Sequence, residues 1–236
     1  MSRRSLRAFQ PFGWMGGGEK GGIMFGLARA LNAWRRLALM ARLRLKAFAS
    51  RSELEMSLAP GCRIGKGVRI SLQGRRNKIT LGRGAHLGER VYIELRNGEL
   101  FLGDRCEIRA ESVAHISGRL YLEEACGFSI RCVIHCGQNI EIGKNTIFGE
   151  YCSVLDGEHV HTQSDEYHFY LDPRAQNILA SVKIGKGVYI GAKATIVRGA
   201  EIGDFCRIGA NAVVTGKIEP HTLAVGVPAR PVKKLV

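Results

Sequence analysis

A parallel β-solenoid wound from six-residue units is the fold this sequence predicts, and two regularities predict it. Isoleucine or valine recurs at every sixth position from Ile184 to Val214, and Ile184, Ile190, Ile202 and Ile208 are each followed directly by glycine. Val188, Ala194, Ala200, Cys206 and Ala212 each lie four residues after the branched aliphatic, so large and small side chains alternate inside a narrow core. A period of six suits neither a lone helix nor a hairpin; it is the mark of a short unit stacked on itself. Three such units per coil give a triangular prism whose faces are short parallel strands, each coil hydrogen-bonding the next and burying the aliphatic row between them.

The pattern runs backward in fragments. Ile142-Gly143, Phe148-Gly149 and Val154 keep the spacing of six, and Ile64-Gly65 with Ile70, Leu81-Gly82 with Leu87-Gly88, Leu102-Gly103 and Leu122 carry parts of it. The breaks fall at Gln73–Asn77, around Asn97 and, most severely, at Gly157–Ser181. The last stretch holds His159, His161, Asp165, Glu166, Tyr167, His168, Tyr170 and Pro173 without the aliphatic period. A long loop inside a compact repeat usually carries function.

Charge separates the ends of the chain. Residues 1–50 hold ten Lys/Arg against one acid, Glu19, in a chain of formal net charge +14. Residues 1–23 read as a flexible basic tail, 24–58 as an amphipathic basic helical extension, and 59–236 as the β-helix domain with its long loop over 157–181. In the extension Leu27, Leu31, Trp34, Ala38, Ala41 and Leu45 share one face, while Arg29, Arg35, Arg36, Arg42, Arg44 and Lys46 spread over the others. Two uses fit that face: residues 24–48 lie on an anionic membrane surface, or they cap the open end of the solenoid, as a terminal repeat requires. The longest apolar run here, Leu37 to Ala41, is too short for a spanning helix or a signal-peptide core, so the expected location is the cytoplasm or the inner membrane face.

The remaining motifs exclude more than they assign. Gly16-Gly17-Gly18-Glu19-Lys20-Gly21-Gly22 lacks the Gly-Lys-Ser/Thr ending and the preceding strand of a phosphate loop. The seven cysteines form no CxxC pair and read as reduced; Cys152 and Cys206 fall at small interior positions where sulfur acts as a compact hydrophobe. Basic residues are not interleaved with aromatics, so no nucleic-acid partner is expected.

The run from Val182 to Arg230, VKIGKGVYIGAKATIVRGAEIGDFCRIGANAVVTGKIEPHTLAVGVPAR, resembles the C-terminal half of the hexapeptide-repeat acyltransferases, left-handed parallel β-helix enzymes, and among them the maltose, galactoside and polysaccharide O-acetyltransferases. The resemblance extends from about residue 60 to the C-terminus, and the GVPAR ending and the His-bearing loop are its more specific features. The left hand comes from the resemblance alone, because parallel crossovers are normally right-handed. It implies a homotrimer with active sites in grooves between neighbouring prisms, an acyl-coenzyme A donor (acetyl-CoA), no metal, and one histidine as general base just after a coil ends.

That position here is His159, with His161 as fallback and Asp156 or Glu158 as the acid that holds the ring. His86, His115, His135, His168 and His221 read as surface or structural. Tyr189 stands where many relatives carry tryptophan. Ala192 and Ala210 match small residues beside the pantetheine arm, and Thr215 and Arg230 match positions near the nucleotide end. Ser129 falls where sugar-specific relatives hold the acceptor with an asparagine, and Gly216 replaces a usual lysine. Two other readings belong to the same fold. A zinc carbonic anhydrase needs three imidazoles, and no His-x4-His pair occurs here. A non-catalytic scaffold would use the prism for assembly alone.

Overall fold

The computed structural model describes residues 21–159 and 177–235. Helix α1 (Gly21–Ala49) leads into a prism with three faces. Face A holds eight parallel strands, from Glu53–Leu58 to Lys217–Ile218, and face C holds seven, from Arg69–Gln73 to Val213–Val214. Face B runs from Arg63–Ile64 to Thr222–Val225, and the last strand, Arg230–Lys234, folds back antiparallel on it. The winding is consistent with a left-handed β-helix.

The inward side chains explain both the period and its interruptions. Along each coil the step from face A to B and from B to C is six residues: Leu81, Leu87 and Ile93 in one coil, Leu122, Phe128 and Ile134 in another, Ile184, Ile190 and Ile196 in a third, all buried. Only the return from C to A varies. It takes 11 residues from Ile70 to Leu81, 8 from Ile134 to Ile142, 30 from Val154 to Ile184 and 4 from Val214 to Ile218. Every break in the sequence pattern therefore falls on one edge of the prism.

The core is continuous along the axis. Val188, Ala194, Ala200, Cys206 and Ala212 fill the narrow corners between the large aliphatics. Phe128 and Phe148 stack in the interior with centroids 4.1 Å apart. Where a corner residue is polar its hydroxyl is satisfied: Thr146 Oγ1 donates to the Gly185 carbonyl at 2.8 Å and accepts from the Val188 amide. The outer position of the B-to-C corner is left-handed in coil after coil, with φ of 55° at Arg90, 61° at Glu111, 61° at Lys193 and 58° at Asn211, which is how the chain turns sharply enough to start the next face.

Two expectations are corrected at the N-terminal end. The solenoid begins at Glu53, not residue 59, because Glu53–Leu58 pairs in register with Arg76–Leu81 and is the first strand of face A. The helix does cap the first coil, but with a different face from the one the apolar spacing suggested. Leu39, Leu43 and Ala47 are buried against that coil, over Leu54, Met56 and Leu58. Asn32 fixes the register, its Nδ2 donating to the Cys62 carbonyl (3.1 Å) and its Oδ1 accepting from the Ile64 amide (2.9 Å). These bonds satisfy polar groups that the first coil would otherwise leave as an open edge. Leu27, Leu31, Trp34 and Leu45 remain exposed. No helix among the described residues is long and apolar enough to cross a membrane.

Candidate active site

The variable edge between faces C and A is wide in the lower coils, and polar side chains from the coil above close it. Asn97 Oδ1 accepts from the Arg75 and Arg76 amides, and Asn77 bridges the Gln73 carbonyl and the Gly98 amide. Asp156 does the same work at the base of the long excursion. Its carboxylate is fully buried and accepts three consecutive backbone N–H groups, from Gly137 (2.6 Å), Gln138 (2.8 Å) and Asn139 (2.7 Å). Such a nest of amides holds an anion without a side-chain cation. The Asp156 amide donates to the His135 carbonyl, and its carbonyl accepts from Ala180 across the stem.

The excursion leaves the prism as a two-stranded antiparallel stem, Gly157–His159 against Asn177–Leu179, with His159 opposite Asn177. The root is tight around Leu179: a Cβ on Gly137 would lie 2.6 Å, and one on Gly157 2.8 Å, from Leu179 Cδ2, so a larger residue at either position would displace that exposed side chain. Glu158 is exposed and its Oε2 accepts from Arg198 Nε at 2.6 Å, tying the stem to the next turn of the same edge. Both acids named beside His159 are thus engaged, one by backbone amides and one by a guanidinium. His161 lies outside the described residues.

The other named positions fall on different parts of the prism. Tyr189 is half-exposed on face B, in register between Ile147 and Arg207. Ala192 and Ala210 lie one coil apart on the B-to-C edge, where the Asn211 amide donates to the Ala192 carbonyl at 3.0 Å. Ser129 is on that edge too, lower down, with its Oγ 3.2 Å from Glu150 Oε1 and its carbonyl accepting from Ser112 Oγ. Thr215 is exposed on the C-to-A edge above the stem, and Arg230 is exposed at the start of the returning strand. One chain therefore carries His159 on one edge and Ala192 and Ala210 on another.

Sequence reasoning missed Arg198, Leu179 and the Gly137–Asn139 amides. Arg198 meets a partner 40 residues away across the excursion, a pairing with no local signature. The seven cysteines are buried and free. Burial, and then the Asp156 charge, push the Cys136 thiol up, and burial raises Cys206, so neither is a ready thiolate. Among the described residues no three His, Cys, Asp or Glu side chains cluster as a metal site.

Residues 181–216 match the family described as bacterial transferase hexapeptide (six repeats), and the coils on either side share its geometry. That stretch carries the hexapeptide repeat. The chain is similar to the probable acetyltransferase Rv3034c of Mycobacterium tuberculosis, 31% identical over 171 residues, which are 72% of this chain and 49% of that one. The chain spans about half the length of the curated relatives it matches. Among solved structures it is similar to the polysialic acid O-acetyltransferase OatWY, with TM-score 0.59, 20% identity and coverage of 78% of this chain and 86% of that one. It is also similar to AntD, an N-acyltransferase from Bacillus cereus solved with dTDP-4-amino-4,6-dideoxyglucose and coenzyme A, with TM-score 0.50, 16% identity and coverage of 83% and 89%. At these identities the two structures speak to the fold.

Proposed function

We propose that this chain is an acyl-CoA-dependent O-acyltransferase that moves an acetyl group onto a sugar hydroxyl of a cell-surface polysaccharide or its lipid-linked precursor, with His159 as general base. The observation that carries the reading is the stem: in a fold shared with acyltransferases, the variable edge opens between the strands Ser153–Leu155 and Val182–Ile184, and His159 leaves it on a hairpin whose root Asp156 fixes. A base must first be held in place, and only then does its pKa matter.

The chemistry follows from that position. His159 takes the hydroxyl proton as the sugar oxygen attacks the thioester carbonyl, and returns it to the sulfur as the carbon–sulfur bond breaks; ester and free thiol leave, and the imidazole ends neutral. Transfer is direct, with no acyl group on the protein. Asp156 acts as a positioning residue by holding the stem, and Glu158 does so through Arg198. The small side chains of Ala192 and Ala210, the exposed ring of Tyr189 and the exposed Thr215 and Arg230 fit a donor groove with a phosphate-bearing end. His159 and those alanines lie on different edges of one prism, which supports a homotrimer in which a neighbouring copy brings the second edge to the first.

Coenzyme A release from acetyl-CoA, measured against a panel of free sugars and lipid-linked glycans, tests the reading. Turnover with one glycan class that disappears in His159→Ala is the expected result. Full turnover in that variant overturns it. Acyl label retained on the protein after donor alone overturns direct transfer.

A further inference from the structure

The cap helix has two apolar faces, and the solenoid uses one. At about 100° per residue, Leu39, Leu43 and Ala47 fall within an arc of about 80°, the arc buried on the first coil. Leu37, Phe48, Ala41, Trp34, Leu27 and Leu45 fall within a second arc of about 80° on the opposite side. Those residues are open to solvent: Phe48 is 83% exposed, Leu45 69%, Leu27 and Trp34 65% each, and Leu37 61%. Packing among the described residues does not account for them, and a contiguous strip of large apolar side chains marks an interaction surface.

The charge around the strip selects the partner. Helix α1 contains six cations and no Asp or Glu. Arg44 borders the exposed arc on one side and Arg42 and Arg35 on the other, by the same rotation per residue. Beside Trp34 and Leu31 a crevice of about 390 Å³ opens between the helix and the corner Gly65-Lys66-Gly67, with Arg35, Arg42 and Lys66 in its lining. Cations next to aromatic and aliphatic side chains on an in-plane helix are the arrangement that seats anionic headgroups while the apolar face enters the acyl boundary. A second copy would bring like charges against these; an anionic bilayer brings opposite ones.

We propose that the outer face of α1, Leu27 through Phe48, is a docking surface for an anionic lipid bilayer, so that one helix caps the solenoid and seats its blunt end on the membrane. The coils then rise from the surface at ~4.8 Å each, which sets the His159 stem roughly 20–24 Å above the helix. The inference stands whether or not the chain transfers acyl groups.

Co-sedimentation of the full chain with vesicles of phosphatidylcholine, with and without phosphatidylglycerol, tests it. The expected result is binding to the phosphatidylglycerol vesicles that weakens with salt, and a blue shift of Trp34 emission in a Trp14→Phe background. Arg35→Gln/Arg42→Gln/Arg44→Gln should weaken binding on the order of 100-fold, as should Trp34→Gln/Leu45→Gln/Phe48→Gln. Both triples alter exposed or half-exposed side chains, and unchanged thermal melting checks that the cap is intact. Failure to bind, equal binding to neutral vesicles, or binding that both triples leave unchanged overturns the proposal. So does a Trp34/Leu45/Phe48 variant that changes the solution mass and leaves vesicle binding alone, which would make the strip an interface between copies. Coenzyme A release with a soluble acceptor, measured in the same variants, keeps this outcome separate from the catalytic reading.

Discussion

Below the His159 stem the coils are long, and above it they are short: Leu58 pairs with Leu81, 23 residues on, while Ile184 pairs with Ile202, 18 on, and Ile202 with Ile218, 16 on. The two regions share faces, register and corner residues at two edges and differ only at the third. A stacked fold can absorb inserted residues at any edge where they leave the ladder intact, and this chain puts all of them at one. The lesson is that the edge between faces C and A is free to take inserted residues because the other two keep the six-residue step.

The largest effect expected from that division is on catalysis. His159→Ala, a change on the stem outside the three faces of the prism, should lower coenzyme A release by about 100- to 10,000-fold while the melting temperature holds. Next comes the root of the excursion. Asp156→Ala would strand three amides and should cost about 3 kcal/mol or more in urea unfolding, with Asp156→Asn retaining part of the bond set. Glu158→Gln loses an exposed ion pair and should change stability by no more than about 0.5 kcal/mol.

A glycine comparison sharpens the claim that the two regions match at the B-to-C edge. A Cβ on Gly149 would meet the Ala192 amide nitrogen at 2.6 Å, and one on Gly191 the Ala210 nitrogen at 2.5 Å. Gly149→Ala and Gly191→Ala should therefore cost similar amounts, about 1–3 kcal/mol each. Gly216→Ala, on the free edge with nothing within 4 Å, should be within about 0.5 kcal/mol of neutral. Unequal costs for the first two would break the comparison.

The smallest effect is on pH. Asp104 is held below the ordinary carboxylate range by the Arg83 amide and guanidinium, Glu107 by its hydrogen bond with His86, and Glu111 by Arg90 and then Arg131. A lowered carboxyl pKa contributes stability above its ordinary value, 4.5 for glutamate, and loses it as pH falls below that. All three belong to the long coils, against Glu219 in the short ones, so hydrogen exchange at acid pH should quicken first between Glu53 and Leu122. Uniform quickening along the prism would count against it.

The candidate site was legible unevenly. His159 is named on the resemblance, which locates the base just past the end of a coil, where the period stops, and its role as base is the proposal that His159→Ala tests. The role of Asp156 could not be read, since an aspartate before a loop looks the same whether it faces a histidine or three amides. Ser129 and Glu150, or Glu158 and Arg198, meet only through stacking, and stacking joins residues some 20 or 40 apart without a local mark.

The sequence by itself determined the prism: a six-residue alternation of large and small side chains has one way to bury itself, and each inward residue named from that alternation is buried. It also determined that α1 is apolar and basic. Which apolar face meets the solenoid was decided by tertiary structure, because helical periodicity marks both strips alike, and Asn32, set beside Leu39 and Leu43, joins Arg36 and Arg42 in supplying hydrogen bonds to the open coil. The same holds at the excursion, where the three-dimensional corner, not the residue type, turned a carboxylate into the anchor of the stem.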